Sequence, residues 1–188
     1  VPVLTMLLAE AVNDTREGPL SDFHMTDKDR YELKIAGLLH DCGKVTTPVH
    51  VVDKATKLES LYDRIHLMDT RFEVLKRDVE MDFLKKQTTE RQMGEGLREL
   101  EDDRRFLHAC NIGGERMRDE DVERVRRIAR YRWRDVAGHE ADFLTEDEVE
   151  NLTIRAGTLT ENERKIINHH IVATIRMLEA LPWPRHLT

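Results

Sequence analysis

Apolar residues recur along this chain at helical spacing, and most stripes carry a start or stop signal. Leu4, Leu7, Leu8, Ala11 and Val12 fall on one side of a helix over residues 3–15, which Gly18-Pro19 breaks. Tyr31, Ile35, Leu38 and Leu39 place a second helix, over 27–41, in a core, with Thr26 as its N-cap. Residues 45–58 read mostly as loop. From Leu61 the steps alternate between four and three. Leu61, Ile65, Met68, Phe72, Leu75 and Val79 make a heptad seam of about three repeats. A break is expected near Gly94 and Gly96. Leu97, Leu100 and Leu107 mark the next helix, Asn111-Ile112-Gly113-Gly114 a turn, and Val122, Val125, Ala129 and Trp133 a further helix. Thr145 with Glu148, and Thr160 with Glu163, have capping-box spacing. The second box opens a helix to about Ala180, with Ile166, Ile167, Thr174, Ile175 and Leu178 on its inner face and Leu181-Pro182 as its stop. Beyond it the chain reads as a proline-broken loop. Short β-rich pieces such as residues 48–52 are too isolated for a sheet. The expected class is all-α, without a strand.

Composition sharpens this picture in one respect. Of the 188 residues, 36% are charged and only 5% aromatic, which fits long solvated helices. The charge is uneven. Residues 59–151 hold 18 basic and 25 acidic side chains, a net of −7, while the 12 basic and 12 acidic residues elsewhere cancel. A neutral module therefore flanks an acidic middle. No stretch of about 18 apolar residues offers a membrane span, and nothing resembles a signal peptide. Cys42 and Cys110 make no disulfide or metal pattern, so a reducing cytoplasm is the expected setting. Arg124, Arg126, Arg127, Arg130, Arg132 and Arg134 interleave with Tyr131 and Trp133, a possible nucleic-acid stripe. The net acidity around them argues against a polyanion, and a salt-bridged helix face is expected instead.

The candidate chemistry sits where the second helix ends, at His40-Asp41-Cys42-Gly43-Lys44. An imidazole beside a carboxylate after the apolar run Ile35-Ala36-Gly37-Leu38-Leu39 suits a hydrolytic metal such as iron, manganese or zinc. Gly43 is suited to a left-handed helix end. Lys44 follows one turn on, in reach of a phosphate. The plainer alternative is a helix C-terminus with His and Lys facing its dipole. Helical phase separates the adjacent histidines: His170 falls with Ile166, Ile167, Thr174 and Leu178, so it points inward, whereas His169 shares a more polar strip. His24, His50, His108, His139 and His186 are expected to be solvated or capping residues, and His66 lies beside the heptad seam.

His40-Asp41-Cys42-Gly43-Lys44, the following Thr47-Pro48, and Ala156-Gly157-Thr158-Leu159-Thr160 ahead of His170 resemble, in that order, the HD-GYP branch of the HD-domain metallophosphohydrolases. The resemblance covers roughly 1–58 and 153–188. It implies an HD-domain helical bundle formed by those two stretches, interrupted by an acidic helical hairpin over 59–152. It implies metal ligation by His40, Asp41 and His170, with Asp41 bridging and Lys44 near the substrate phosphate. Two or three divalent ions, iron or manganese, would serve the complete site, and the substrate would be the bacterial messenger cyclic di-GMP. The family's upstream histidine and its paired histidines with the GYP motif are not among these residues, so the metal set is expected to be incomplete. Two other readings stay open. One is an HD phosphohydrolase acting on another nucleotide. The other is a non-catalytic signalling module that dimerises through the heptad seam, whose intramolecular alternative is a hairpin.

Overall fold

The computed structural model describes residues 1–114, 116–135 and 137–183. The expected loop after Leu181-Pro182 and the solvated His186 lie largely or wholly outside the described residues. The chain divides into two compact units: one formed by 1–48 with 165–188, the other by 49–164. These limits differ from the 58/59 and 152/153 boundaries drawn from composition, because the segments 49–58 and 153–164 pack with the acidic stretch.

The first unit holds α1 (Pro2–Asn13), α2 (Asp27–Leu39), a short 3-10 helix (Cys42–Thr46), the end of α8 (Glu161–Asn168) and α9 (His170–Glu179). Thr26 caps α2, accepting from the Asp29 amide, while Asp29 accepts from the Thr26 amide. Two polar ties join α1 to α2 and the residues just ahead of it: Arg30 grips Glu10 at 2.7 and 3.2 Å, and the Asn13 side chain accepts from the Met25 amide at 2.7 Å. The expected core of this unit is not what forms. Leu4, Leu7, Leu8, Tyr31, Leu38, Ile166 and Ile175 are all exposed, and the described residues that are buried here are Met25, Gly43, Thr47 and Thr174. Helical phase marks the apolar side of a helix but does not supply a layer to cover it. The expected helix from Thr160 to Ala180 is two helices separated by the single residue His169, whose backbone remains helical.

The second unit contains α3 (Val49–Val52), α4 (Ile65–Leu84), α5 (Glu90–Asn111), α6 (Asp119–Ala129), β1 (Arg132–Arg134), β2 (Glu140–Asp142), α7 (Glu146–Leu152) and the start of α8. Helices α4 and α5 form an antiparallel hairpin, as shown by the descending pairs Asp69–His108, Lys76–Glu101 and Val79–Gly96. The seam residues Ile65, Met68, Phe72 and Leu75 pack inside this unit with Leu100, Leu107, Val122, Val125, Ile128, Phe143 and Leu152. The Phe72 and Phe143 rings lie 4.5 Å apart.

Three expectations fail here for local reasons. Leu61 is not on the seam but 93% exposed ahead of α4; Asp63, gripped by Thr56 and Asn111, accepts from the Ile65 amide and starts the helix there. Gly94 and Gly96 do not break α5, which runs through both. Trp133 leaves the α6 stripe for a two-stranded antiparallel hairpin, so the chain is not strand-free. The Asp135 side chain accepts from the Ala137 and His139 amides, and Gly138 takes φ +82°, which together turn the chain back. Residues 45–58 are mostly loop, as expected, and include α3 and the end of the 3-10 helix.

Candidate metal centre

Helix α2 ends at Leu39, and His40 donates its backbone amide to Ala36 as the C-cap. Asp41 then leaves helical geometry, and the 3-10 helix returns Lys44 toward it, the Lys44 amide meeting the Asp41 carbonyl at 2.9 Å. His40 Nε2 lies 3.1 Å from Asp41 Oδ2, and His170 Nε2 lies 3.4 Å from Asp41 Oδ1. Lys44 Nζ donates to Asp41 Oδ2 at 2.7 Å. All four sequence-predicted site residues therefore meet at one carboxylate. His169 is exposed, while the His170 side chain is 14% exposed.

Both histidines are oriented in the same way. His40 Nδ1 lies 2.9 Å from the Gly37 carbonyl oxygen, and His170 Nδ1 hydrogen-bonds the Ile167 carbonyl. A carbonyl only accepts, so each Nδ1 carries a proton, and each Nε2 faces the Asp41 carboxylate. Metal-binding histidines are commonly fixed by the same kind of bond from the distal ring nitrogen. Beside a carboxylate each Nε2 is either a protonated donor or, once that proton leaves, a metal ligand, so positive charge belongs among these groups. Lys44 supplies part of that charge. Its hydrogen bond is the main reason the Asp41 carboxyl titrates below the ordinary carboxylate range, against some opposing desolvation.

Gly43 brings the two segments together. It is not left-handed, as sequence reasoning had it; among glycines, positive φ is found at Gly18, Gly113, Gly138 and Gly157. A Cβ on Gly43 would instead fall 2.2 Å from the His170 carbonyl oxygen and 2.5 Å from the Thr174 amide nitrogen. The Gly43 amide donates to Thr174 Oγ1 at 2.9 Å, joining the 3-10 helix to α9 one turn beyond His170. A threonine on the apolar stripe of α9 was the available sequence signal for this contact.

Among the described residues, no set of three or more His, Cys, Asp or Glu side chains is already spaced as a metal cage. At this centre the donors contact one another, and Lys44 shares Oδ2 with His40. The donor chemistry nonetheless fits a divalent cation: two imidazole nitrogens and a carboxylate, with His40 and Asp41 open to solvent.

The sequence profile described as HD domain matches residues 2–131. That span includes His40, Asp41 and Lys44. It runs through α4 and α5, which the resemblance had assigned to an insertion, and stops before His170. No curated protein and no solved structure matches the chain. No helix among the described residues is long and apolar enough to cross a membrane. With more than half of its residues matched, the chain belongs to the HD domain family, whose members are generally metal-dependent phosphohydrolases.

Proposed function

We propose that this chain contributes the metal-binding side of a phosphodiesterase acting on cyclic di-GMP, with His40, Asp41 and His170 as ligands of iron or manganese. The observation that carries the reading is the pair of imidazoles, each fixed through Nδ1, turning Nε2 onto the same carboxylate. The order of the HDCGK motif, Thr47-Pro48 and AGTLT ahead of His170 favours the HD-GYP branch and hence a cyclic dinucleotide.

The metal, when bound, would lower the pKa of its water and screen the phosphate charge. The chain's own residues do the rest. His40 and His170 are held through Nδ1, which leaves Nε2 as the nitrogen that would ligate. Asp41 stays ionised into acid, as its lowered pKa requires. The Lys44 ammonium, 41% exposed, can turn from Asp41 to a substrate phosphate oxygen. The heptad seam of the acidic stretch, expected to pair two chains, packs within its own unit, as the hairpin alternative has it.

Metal content and cyclic di-GMP hydrolysis, measured in the natural polypeptide carrying these residues, test the proposal. His170→Ala should lose about tenfold or more in metal affinity, while His169→Gln should leave it unchanged. Asp41→Ala should abolish hydrolysis. Equal metal loss in both histidine variants would remove His170 from the ligand set. Turnover of other nucleotides with none of cyclic di-GMP would move the chain to a different phosphohydrolase substrate.

A further inference from the structure

A second charged site lies in the other unit, on the C-terminal half of α6. A cleft of about 230 Å³ is lined by Glu123, Arg126, Arg127, Arg130 and Tyr131. Spacings of three and four residues bring Arg126 and Arg127 beside Arg130 on one side of the helix. We propose that this cleft binds a compact phosphate monoester dianion carried on a small molecule.

The arginines here have donors to spare. Arg126 gives one nitrogen to Glu123 at 2.7 Å, in a pair exposed on both sides. Arg127 reaches Asp103 Oδ1 only at 3.4 Å, and that carboxylate is already held by Arg124 at 2.7 and 2.9 Å and by the Tyr131 hydroxyl at 2.6 Å. Arg130 makes no side-chain hydrogen bond or ion pair with the described residues. By contrast, Arg71, Arg104, Arg118 and Arg132 are each committed to a carboxylate. Favourable placement at a helix C-terminus explains basic residues on this turn. It does not explain their convergence on one cavity walled by a tyrosine that Asp103 holds in place.

Charge and size select the ligand. The lining carries three guanidinium groups and one carboxylate, so a dianion neutralises it. Planar guanidinium forks match phosphate oxygens in pairs. The stretch around the cleft carries a net charge of −7, which opposes a phosphate polymer running past the cleft. The volume is below the roughly 300 Å³ at which drug-sized pockets begin, leaving space for a phosphate and about one sugar. The inference is independent of the phosphodiesterase reading, because it uses none of that site's residues.

The test is titration of the full, metal-free chain with ribose phosphate, ribose, inorganic phosphate and a single-stranded oligonucleotide, observing the arginine side chains by NMR. Ribose phosphate and inorganic phosphate should both shift Arg126, Arg127 and Arg130, and ribose should not. Affinity should rise severalfold between about pH 5.5 and about pH 7.5, as the phosphate loses its second proton near 6. The exposed double variant R126Q/R130Q should keep its melting temperature and bind about tenfold more weakly, from the loss of charge-assisted hydrogen bonds. If only inorganic phosphate binds, the monoester assignment is overturned. Tighter binding of the oligonucleotide than of ribose phosphate would make the cleft part of a nucleic-acid surface. Unchanged affinity in the double variant, or no binding by any probe, would also overturn the site.

Discussion

At the scale of single residues, the metal centre depends on a residue with no side chain. His40, Asp41 and Lys44 arrive on one segment and His170 on another, and Gly43 is where the two backbones touch. Gly43→Ala should therefore damage the site without removing any ligand. The added methyl has to displace the His170 carbonyl and the Thr174 backbone, and overpacking of this kind costs about 1–3 kcal/mol or more. Metal titration and thermal unfolding of the variant should show weaker binding together with a lower melting temperature. Wild-type values for both would show that the 3-10 helix and α9 do not need this approach. The sequence made His40, Asp41, Lys44 and the inward phase of His170 legible, because residue type and helical period carry that information. It hid the reason for Gly43, since left-handed backbone and close packing both select glycine and only the fold distinguishes them.

At the scale of elements, capping was the most readable signal and tertiary pairing the least. Thr26, Thr145 and Thr160 each start a helix as their spacing implies. Yet Trp133, in phase with α6, ends in a strand, because a turn chemistry centred on Asp135 and Gly138 overrides the periodicity. Two of the caps have further roles. Glu148, the third residue of α7, also binds Arg71 of α4 at 2.7 and 3.2 Å with both side chains nearly buried. Arg71→Met should cost about 3–5 kcal/mol by stranding a buried carboxylate. Arg71→Met with Glu148→Gln should cost less than that single change, which urea unfolding can establish; a double variant weaker than the single one would contradict the pairing. Glu163, the third residue of α8, is desolvated by burial, which raises its pKa, but Lys54 and the Thr160 amide outweigh this and leave it lowered. A depressed folded pKa means stability that is present above the unfolded value, near 4.3, and lost as pH falls through the folded one. Lys54→Met should therefore reduce the acid sensitivity of unfolding, and identical pH slopes in the two proteins would exclude the Lys54 contribution.

At the scale of the whole molecule, apolar burial is distributed unequally. Every member of the hydrophobic cluster, from Leu58 to Leu152, belongs to the unit formed by 49–164. The unit carrying His40, Asp41 and His170 has large aliphatic side chains in α1 and α9, but among the described residues its buried positions are few, and Met25 is the one large apolar side chain among them. Burial contributes about 25 cal/mol per Å² of apolar surface removed from water, so cooperative stability belongs mainly to the unit 49–164 despite its net negative charge. Local opening free energy follows the same contacts. Amide hydrogen exchange of the metal-free chain should show the slowest amides in α4, α5 and α6, around Phe72, Leu107 and Val125. Amides of α1 and α9 should exchange at least about a hundredfold faster, a difference of about 2.7 kcal/mol in opening free energy. A divalent metal held by His40, Asp41 and His170 favours the folded arrangement over the open one, by about 2.7 kcal/mol at a hundredfold excess over its dissociation constant. Added manganese should therefore slow exchange selectively at the end of α2, in the 3-10 helix and in α9. Uniform protection across both units without metal would mean that α1 and α9 are held by contacts other than those seen here. Protection by manganese confined to residues 49–164 would place the cation away from Asp41.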